Sequence, residues 1–190
     1  MNSGVKQKIE NYLTTKYNTE QEKIREEARL KAAALPRLVV GNAGYSKFAD
    51  DRHIRIQSEC VRALVLRRTE IHLEAYELYD IAPDDAIVTD AKMLRDMTVA
   101  GRSSAVAGEL RMEAMRTRRV GGHGAAISEN FKRQLTVRTH SVMNEVSCMV
   151  EKARVMRSKK QNTLPNITVQ GPNARVNINT VDNSQNEVKS

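Results

Sequence analysis

Apolar side chains return every three or four residues along most of the chain, the interval that gathers them on one face of an α-helix. Val5, Ile9, Tyr12 and Leu13 open the pattern and Asn18 interrupts it. Thr19 with Glu22 matches a capping box, in which two side chains satisfy free backbone donors at a helix start. The spacing thus predicts a second helix over 20–34, with a single helix running on through Asn18 as the alternative. Leu35 and Pro36 end either one, because the residue before proline is pushed out of the α region. Gly41, Asn42, Gly44 and Ser46 mark 37–50 as a loop holding one apolar patch, Leu38 to Val40. Asp50 or Asp51 caps the next helix. There Ile54, Val61, Leu64, Ile71, Ala75 and Leu78 keep the interval through Tyr79, with Gln57 and Arg68 on the same stripe. A helix of about twenty-eight residues spans roughly 40 Å and needs a partner along its length.

Ala82, Pro83, Asp84 and Asp85 form a turn. The following helix starts at Asp84 or is capped by Thr89 or Asp90, and its large apolar residues are Met93, Leu94, Met97, Leu110, Met112 and Met115. Between them lies a run of small residues in which Gly101, Ser104 or Ala105, and Gly108 share a face. Close approach of another backbone to that face is expected, against a competing break at Gly101, since glycine costs about 1 kcal/mol relative to alanine inside a helix. Gly121, Gly122, His123 and Gly124 read as a loop, and Ser128 caps the helix after it. Leu135, Thr139, Val142, Val146, Met149, Ala153 and Met156 then alternate four and three in a heptad stripe. That polar face ends in Arg154, Arg157, Lys159 and Lys160, favourable at the negative end of the helix dipole.

After Gln161 the period falls to two. Asn166 to Gln170 alternates apolar with polar, Gly171, Pro172 and Asn173 supply turn chemistry, and Ala174 to Val181 alternates again. A two-stranded hairpin is marginal in water. With Ile167, Val169, Val176 and Ile178 as its large apolar residues, this one is expected to find cover on its own bundle or on the same tail of other copies. Its many Asn side chains, able to ladder between identical strands, favour the second. The chain is therefore expected to be mainly α. A long antiparallel helical bundle fills 1–160, a short C-terminal β hairpin over 161–181 mediates oligomerisation through those four residues, and 182–190 is a disordered end.

Composition sharpens this picture in two ways. Aromatic content is only 4% with no Trp, so the core is aliphatic and rich in Met and Ala. The formal charge of +8 is also unevenly placed: residues 101–160 carry thirteen basic against five acidic side chains, while 81–100 carry two against four. Such asymmetry marks a surface for DNA, RNA or another polyanion, or else a solvated face that keeps the protein soluble. Neither a secretory signal nor an apolar run long enough to span a membrane is present, which points to the cytoplasm and to no membrane partner. Cys60 and Cys148 each sit in a helical apolar pattern and are expected to behave as small hydrophobes.

Candidate chemistry is sparse. The Gly121–Gly124 cluster lacks the Lys and Ser or Thr of a phosphate loop, and His53, His72, His123 and His140 have no zinc spacing. Ser103 and Ser104 lack a nucleophile elbow, and Asp84 and Asp85 suit a turn better than acid–base work. No catalytic residue, metal or cofactor is expected. Arg111, Arg116, Arg118 and Arg119 crowd the end of one helix and Lys132, Arg133 and Arg138 the start of the next, a basic tip able to grip nucleic-acid phosphates. Phe131 is the aromatic nearby.

The run from Asn166 to Ser184, NITVQGPNARVNINTVDNS, resembles the Asn-rich β tails that end various small bacterial helical proteins, some associated with phage defence and mobile elements. The resemblance covers about a tenth of the chain and implies a bacterial or phage origin and a self-associating C-terminus. Two functions are expected from different classes: a non-enzymatic homo-oligomeric assembly or adaptor protein, binding a protein partner in a larger complex, or a nucleic-acid-binding oligomer using 101–160.

Overall fold

The computed structural model describes residues 3–35, 48, 50–117, 122–162, 166–168 and 177–179. It is mainly helical: α1 Ser3–Ala33, α2 Asp51–Leu78, α3 Asp85–Thr117, α4 Gly122–Arg138 and α5 Val142–Asn162. The 37–50 loop, apart from Phe48 and Asp50, and the 182–190 end lie outside the described residues.

α1 is one helix, so the interruption expected at Asn18 does not occur. Asn18 and Thr19 face solvent, where Asn18 Oδ1 accepts from Gln21 Nε2 at 3.3 Å and leaves the helical backbone intact. On the opposite side Ile9, Leu13, Tyr17 and Ala28 are buried together, and Tyr17 donates its hydroxyl to the Leu64 carbonyl at 3.4 Å. Packing along the whole length outweighs one mild breaker.

α2 is the helix around which the others gather. Asp50 caps it, accepting from Arg52 N at 2.9 Å. Leu64, Ile71 and Ala75 face α1 in one cluster with Tyr17 and Ile9, while Val61 and Val65 join Val106, Leu135 and Val146 in another. α1 runs antiparallel to α2, with Lys16 on Glu74 and Glu20 near Arg67. α3 returns antiparallel to α2, and α4 antiparallel to α3, where a methyl added at Gly124 would stand 3.7 Å from Leu110 Cβ. α5 lies parallel to α2, joined by the Arg62–Glu145 ion pair.

One helix is continuous as expected, and two boundaries depart from the sequence pattern. α3 passes through Gly101 without a break, and its buried positions are Ile87, Ala91, Val99, Ser103, Val106 and Leu110. Gly101 and Gly108 instead face open space, with no atom near an added methyl. The glycine cluster is helical from Gly122, which places Ser128 inside α4 rather than at its cap. The heptad stripe is cut by a turn at Thr139–Ser141, where Thr139 still donates both its N–H and its hydroxyl to the Leu135 carbonyl, at 3.1 and 2.8 Å. Burial continues across the cut through Val142, Val146 and Val150 at intervals of four, so the face rotates and Met156 stands 62% exposed.

Arg154 and Arg157 are not a solvated helix end. Arg154 Nε donates to the Pro83 carbonyl at 3.0 Å and Nη2 to Asp85 at 2.7 Å. Arg157 donates to the Ile81 and Asp80 carbonyls at 3.0 and 2.7 Å and to the Asp80 carboxylate at 2.8 Å. The turn they clamp contains Asp80 at φ 52, a left-handed conformation that costs a non-glycine residue energy.

β1 Asn166–Thr168 pairs antiparallel with β2 Asn177–Asn179, in the register Asn166 to Asn179, Ile167 to Ile178 and Thr168 to Asn177.

Because Leu64 is fully buried at the centre of α2, Leu64→Ala is expected to cost about 2–5 kcal/mol, whereas Leu78→Ala at an exposed position should stay within about 0.5 kcal/mol. Urea unfolding midpoints of the two variants check this, read with unchanged slopes.

Candidate functional site

Polar chemistry inside the bundle centres on the α2–α3 contact. Arg68 makes two hydrogen bonds to Asp90, Nε at 2.9 Å and Nη2 at 3.2 Å, and its guanidinium lies 5.1 Å from the centre of the Tyr17 ring. His72 Nδ1 stands 3.5 Å from Asp90 Oδ2 but is not aligned to donate, so that nitrogen has no hydrogen-bond partner. His72 meets Tyr76 edge to face, and Tyr76 donates to Asp84 at 3.2 Å. Burial pushes the Asp90 carboxyl up, but His72 and Arg68 outweigh it and hold it at about 2. Burial pushes the Tyr17 and Tyr76 phenols up to about 12, so both stay neutral donors. Arg68 with Asp90, Tyr76 with Asp84 and Tyr17 with the Leu64 carbonyl hold helices in register; none presents a free nucleophile to a cleft.

Two cavities among the described residues have different characters. One, of about 220 Å³, lies between α3 and α5, and its charged residues Asp85, Glu151 and Arg154 are already paired. The other is an open groove of about 630 Å³ between the second half of α1 and the middle of α3. Glu22, Arg25, Glu26 and Arg29 form its α1 wall, and Met97 and Gly101 its α3 wall. Arg102 turns inward beneath it, donating to Cys60 Sγ at 3.5 Å. Burial raises the Cys60 thiol, with Arg102 opposing the shift. Cys148, expected in the apolar pattern, is exposed on α5.

The outer face of α3 continues the groove wall in both directions. Met93, Met97, Met112 and Met115 are 54–73% exposed. Between Met97 and Gly108 the exposed positions are Ala100, Gly101, Ser104 and Ala105, while Asp96, paired with Arg95 at 2.6 Å, is an exposed charge beside Met93 and Met97. The small residues expected to meet a backbone inside the bundle therefore look outward.

The sequence-derived basic tip is distributed as follows. Arg111 is exposed near the end of α3, Arg116 lies in its last turn, and Arg118 and Arg119 fall outside the described residues. Lys132 and Arg133 are exposed on α4, Arg133 donating to Asn130 at 3.0 Å. Arg138 is the final residue of α4, sixteen positions from Gly122 and so about 24 Å away. Its guanidinium pairs with Asp51 at the start of α2. Phe131 is 1% exposed and packs against Phe48 and His53, which removes it from any stacking role. Of the tail residues, Ile167 and Ile178 are register partners, while Val169 and Val176 lie outside the described residues.

Sequence reasoning missed the Arg68–Asp90 lock, the Arg154 and Arg157 clamp and the groove. Arg68 on an apolar stripe was a signal for the first. The acidic excess in 81–100 facing a basic excess in 101–160 was one for the second.

Among the described residues no helix is long and apolar enough to cross a membrane, and no group of three or more His, Cys, Asp or Glu gathers as a metal site. Comparisons with protein-family models, curated proteins and solved structures find no match for this chain.

Asp90 titrates at about 2 in the fold against about 3.8 unperturbed. Its ion pair therefore stabilises the protein fully above the unfolded value and loses that contribution as pH falls through about 2, an effect on the order of 2 kcal/mol. Unfolding free energies between pH 5 and 2 should show this loss, and Asp90→Asn should be less stable at neutral pH and flatter across that range.

Proposed function

We propose that the chain is a non-enzymatic homo-oligomeric assembly or adaptor protein. The observation that carries this reading is the outward face of α3: four exposed methionines flank the small residues Ala100 to Gly108, whose exposed positions carry no charge, with Asp96 at the edge of the face. Contiguous exposed apolar surface on a helical bundle marks a contact site for another protein. Methionine suits such surfaces because its side chain adapts to its partner.

The tail supports the same reading. Strands of three residues each make too small a pair to stand alone, so apolar cover from other subunits fits their composition. The likeness to Asn-rich β tails supports a bacterial or phage setting for this assembly, with a defence system as the fitting context and the cytoplasm as its location.

Nucleic-acid binding through 101–160 is the second reading, favoured by exposed Arg111, Lys132 and Arg133. It ranks lower because Arg138, Arg154 and Arg157 are engaged by aspartates of the bundle. Phosphate contact would then fall to few cations, and few cations give a shallow salt dependence.

Light scattering of the full chain beside one ending at Gln161 tests the role of the tail. The shortened chain is expected to have a lower mass per particle, and equal masses would remove the tail from the assembly. DNA or RNA binding that falls steeply with salt and is lost on replacing Arg111, Lys132 and Arg133 together with Ala, with mass unchanged, would place the second reading first.

A further inference from the structure

The α1–α3 groove has a property that its two walls create jointly. Along the α1 wall the charges run Glu22, Arg25, Glu26, Arg29. Reversed end for end about a point between Arg25 and Glu26, that order returns with every sign inverted. Such a wall is complementary to an antiparallel copy of itself, the requirement for a two-fold contact in which one patch meets the same patch.

The α3 wall stands at the same height. The groove sets Glu22 to Arg29 level with Leu94 to Arg102, spans of about 10 and 12 Å. α1 and α3 both run antiparallel to α2 and hence parallel to each other. A single two-fold axis lying across them therefore turns both walls onto their own copies.

We propose that this groove receives a second copy of the chain, packed antiparallel about an axis that passes between Arg25 and Glu26 on α1 and beside Met97 on α3. This rests on the homo-oligomeric reading and supplies it with an interface separate from the tail. Glu22 faces Arg29 of the partner subunit, and Arg25 faces Glu26 of the partner subunit. On α3, Met97 meets Met97 of the partner subunit, and Met93 enters the space above Gly101 of the partner subunit. Gly101 has no atom near an added methyl and Met93 is 57% exposed, so a notch and a knob sit four residues either side of the axis.

Within one copy Arg25 and Glu22 pair at 3.5 Å and Arg29 and Glu26 at 2.6 Å, all four being exposed. Exposed pairs of this kind contribute little to stability. Changing them therefore leaves the bundle folded while altering what it can face. A polyanion is disfavoured by Glu22 and Glu26, and an unrelated partner would have no reason to match a sequence that inverts its own charges.

The test is a charge exchange in the full-length protein. One variant carries Arg25→Glu with Arg29→Glu, the other Glu22→Arg with Glu26→Arg. Each presents one sign to itself, so each alone should show half the wild-type mass per particle at low salt. Mixed one to one, the two become complementary and the wild-type mass should return, which a folding defect cannot produce. As a second readout, Met97→Cys combined with Cys148→Ser should form a disulfide between subunits on mild oxidation, while Met112→Cys in the same background should not. Wild-type mass in either variant alone, failure of the mixture to recover, or equal cross-linking at 97 and 112 would overturn the arrangement. Because the tail is intact throughout, those failures are distinct from loss of assembly on ending the chain at Gln161, which bears on the tail.

Discussion

The bundle depends on hiding α2 from water on more than one side. Most helices of a globular protein bury one stripe and leave the other face wet. Here Leu64 and Ile71 point to α1 while Val61 and Val65 point to α3, α4 and α5, and all four are fully buried. At about 25 cal/mol per Å² of apolar surface removed from water, one helix buried along two stripes is a larger driving force than any single polar contact in the protein. The remaining helices take positions that cover it, and their own registers are set by where they meet it.

Polar side chains then act as locks at the margins of that packing. Arg68 reaches from α2 to Asp90 on α3 where the two apolar clusters adjoin, a site too enclosed for either charge alone but acceptable for the pair. At the end of the bundle, Arg154 and Arg157 hold the α2–α3 turn by its carbonyls and carboxylates. Two of the thirteen basic residues in 101–160 are thereby turned to internal use. Also facing outward are a strip of methionines and small residues on α3, edged by Asp96, and beside it a charge-balanced wall on α1. The proposed assembly draws on those two surfaces because they lack cover within one copy.

The helices themselves were legible in the chain because each rests on a local signal. Asp50 capped α2 as its side chain allowed, and its twenty-eight residues end where the apolar period ends. Pro36 likewise lies beyond the end of α1. Local signals misled where two of them competed. Thr19 and Glu22 have capping chemistry, yet α1 stays helical through them, with Tyr17 and Ala28 buried on either side. Leu135 to Met156 reads as one heptad helix, yet the chain turns at Thr139–Ser141, and burial resumes on a rotated face through Val142, Val146 and Val150.

Sequence alone determined that this protein is mainly helical, with an aliphatic core and a change of period after Gln161, because helix and strand periodicity, caps and prolines act over a few neighbouring residues. Which side of α3 faces inward was a tertiary decision. Met93, Met97, Met112 and Met115 are its most conspicuous apolar residues, but Ile87, Val99, Val106 and Leu110 occupy the interior. A helix with apolar side chains around much of its circumference can be buried along either side. Only the shape of its packing surroundings selects between them, and that shape is set by α2, α4 and α5, which contact α3 from distant parts of the chain.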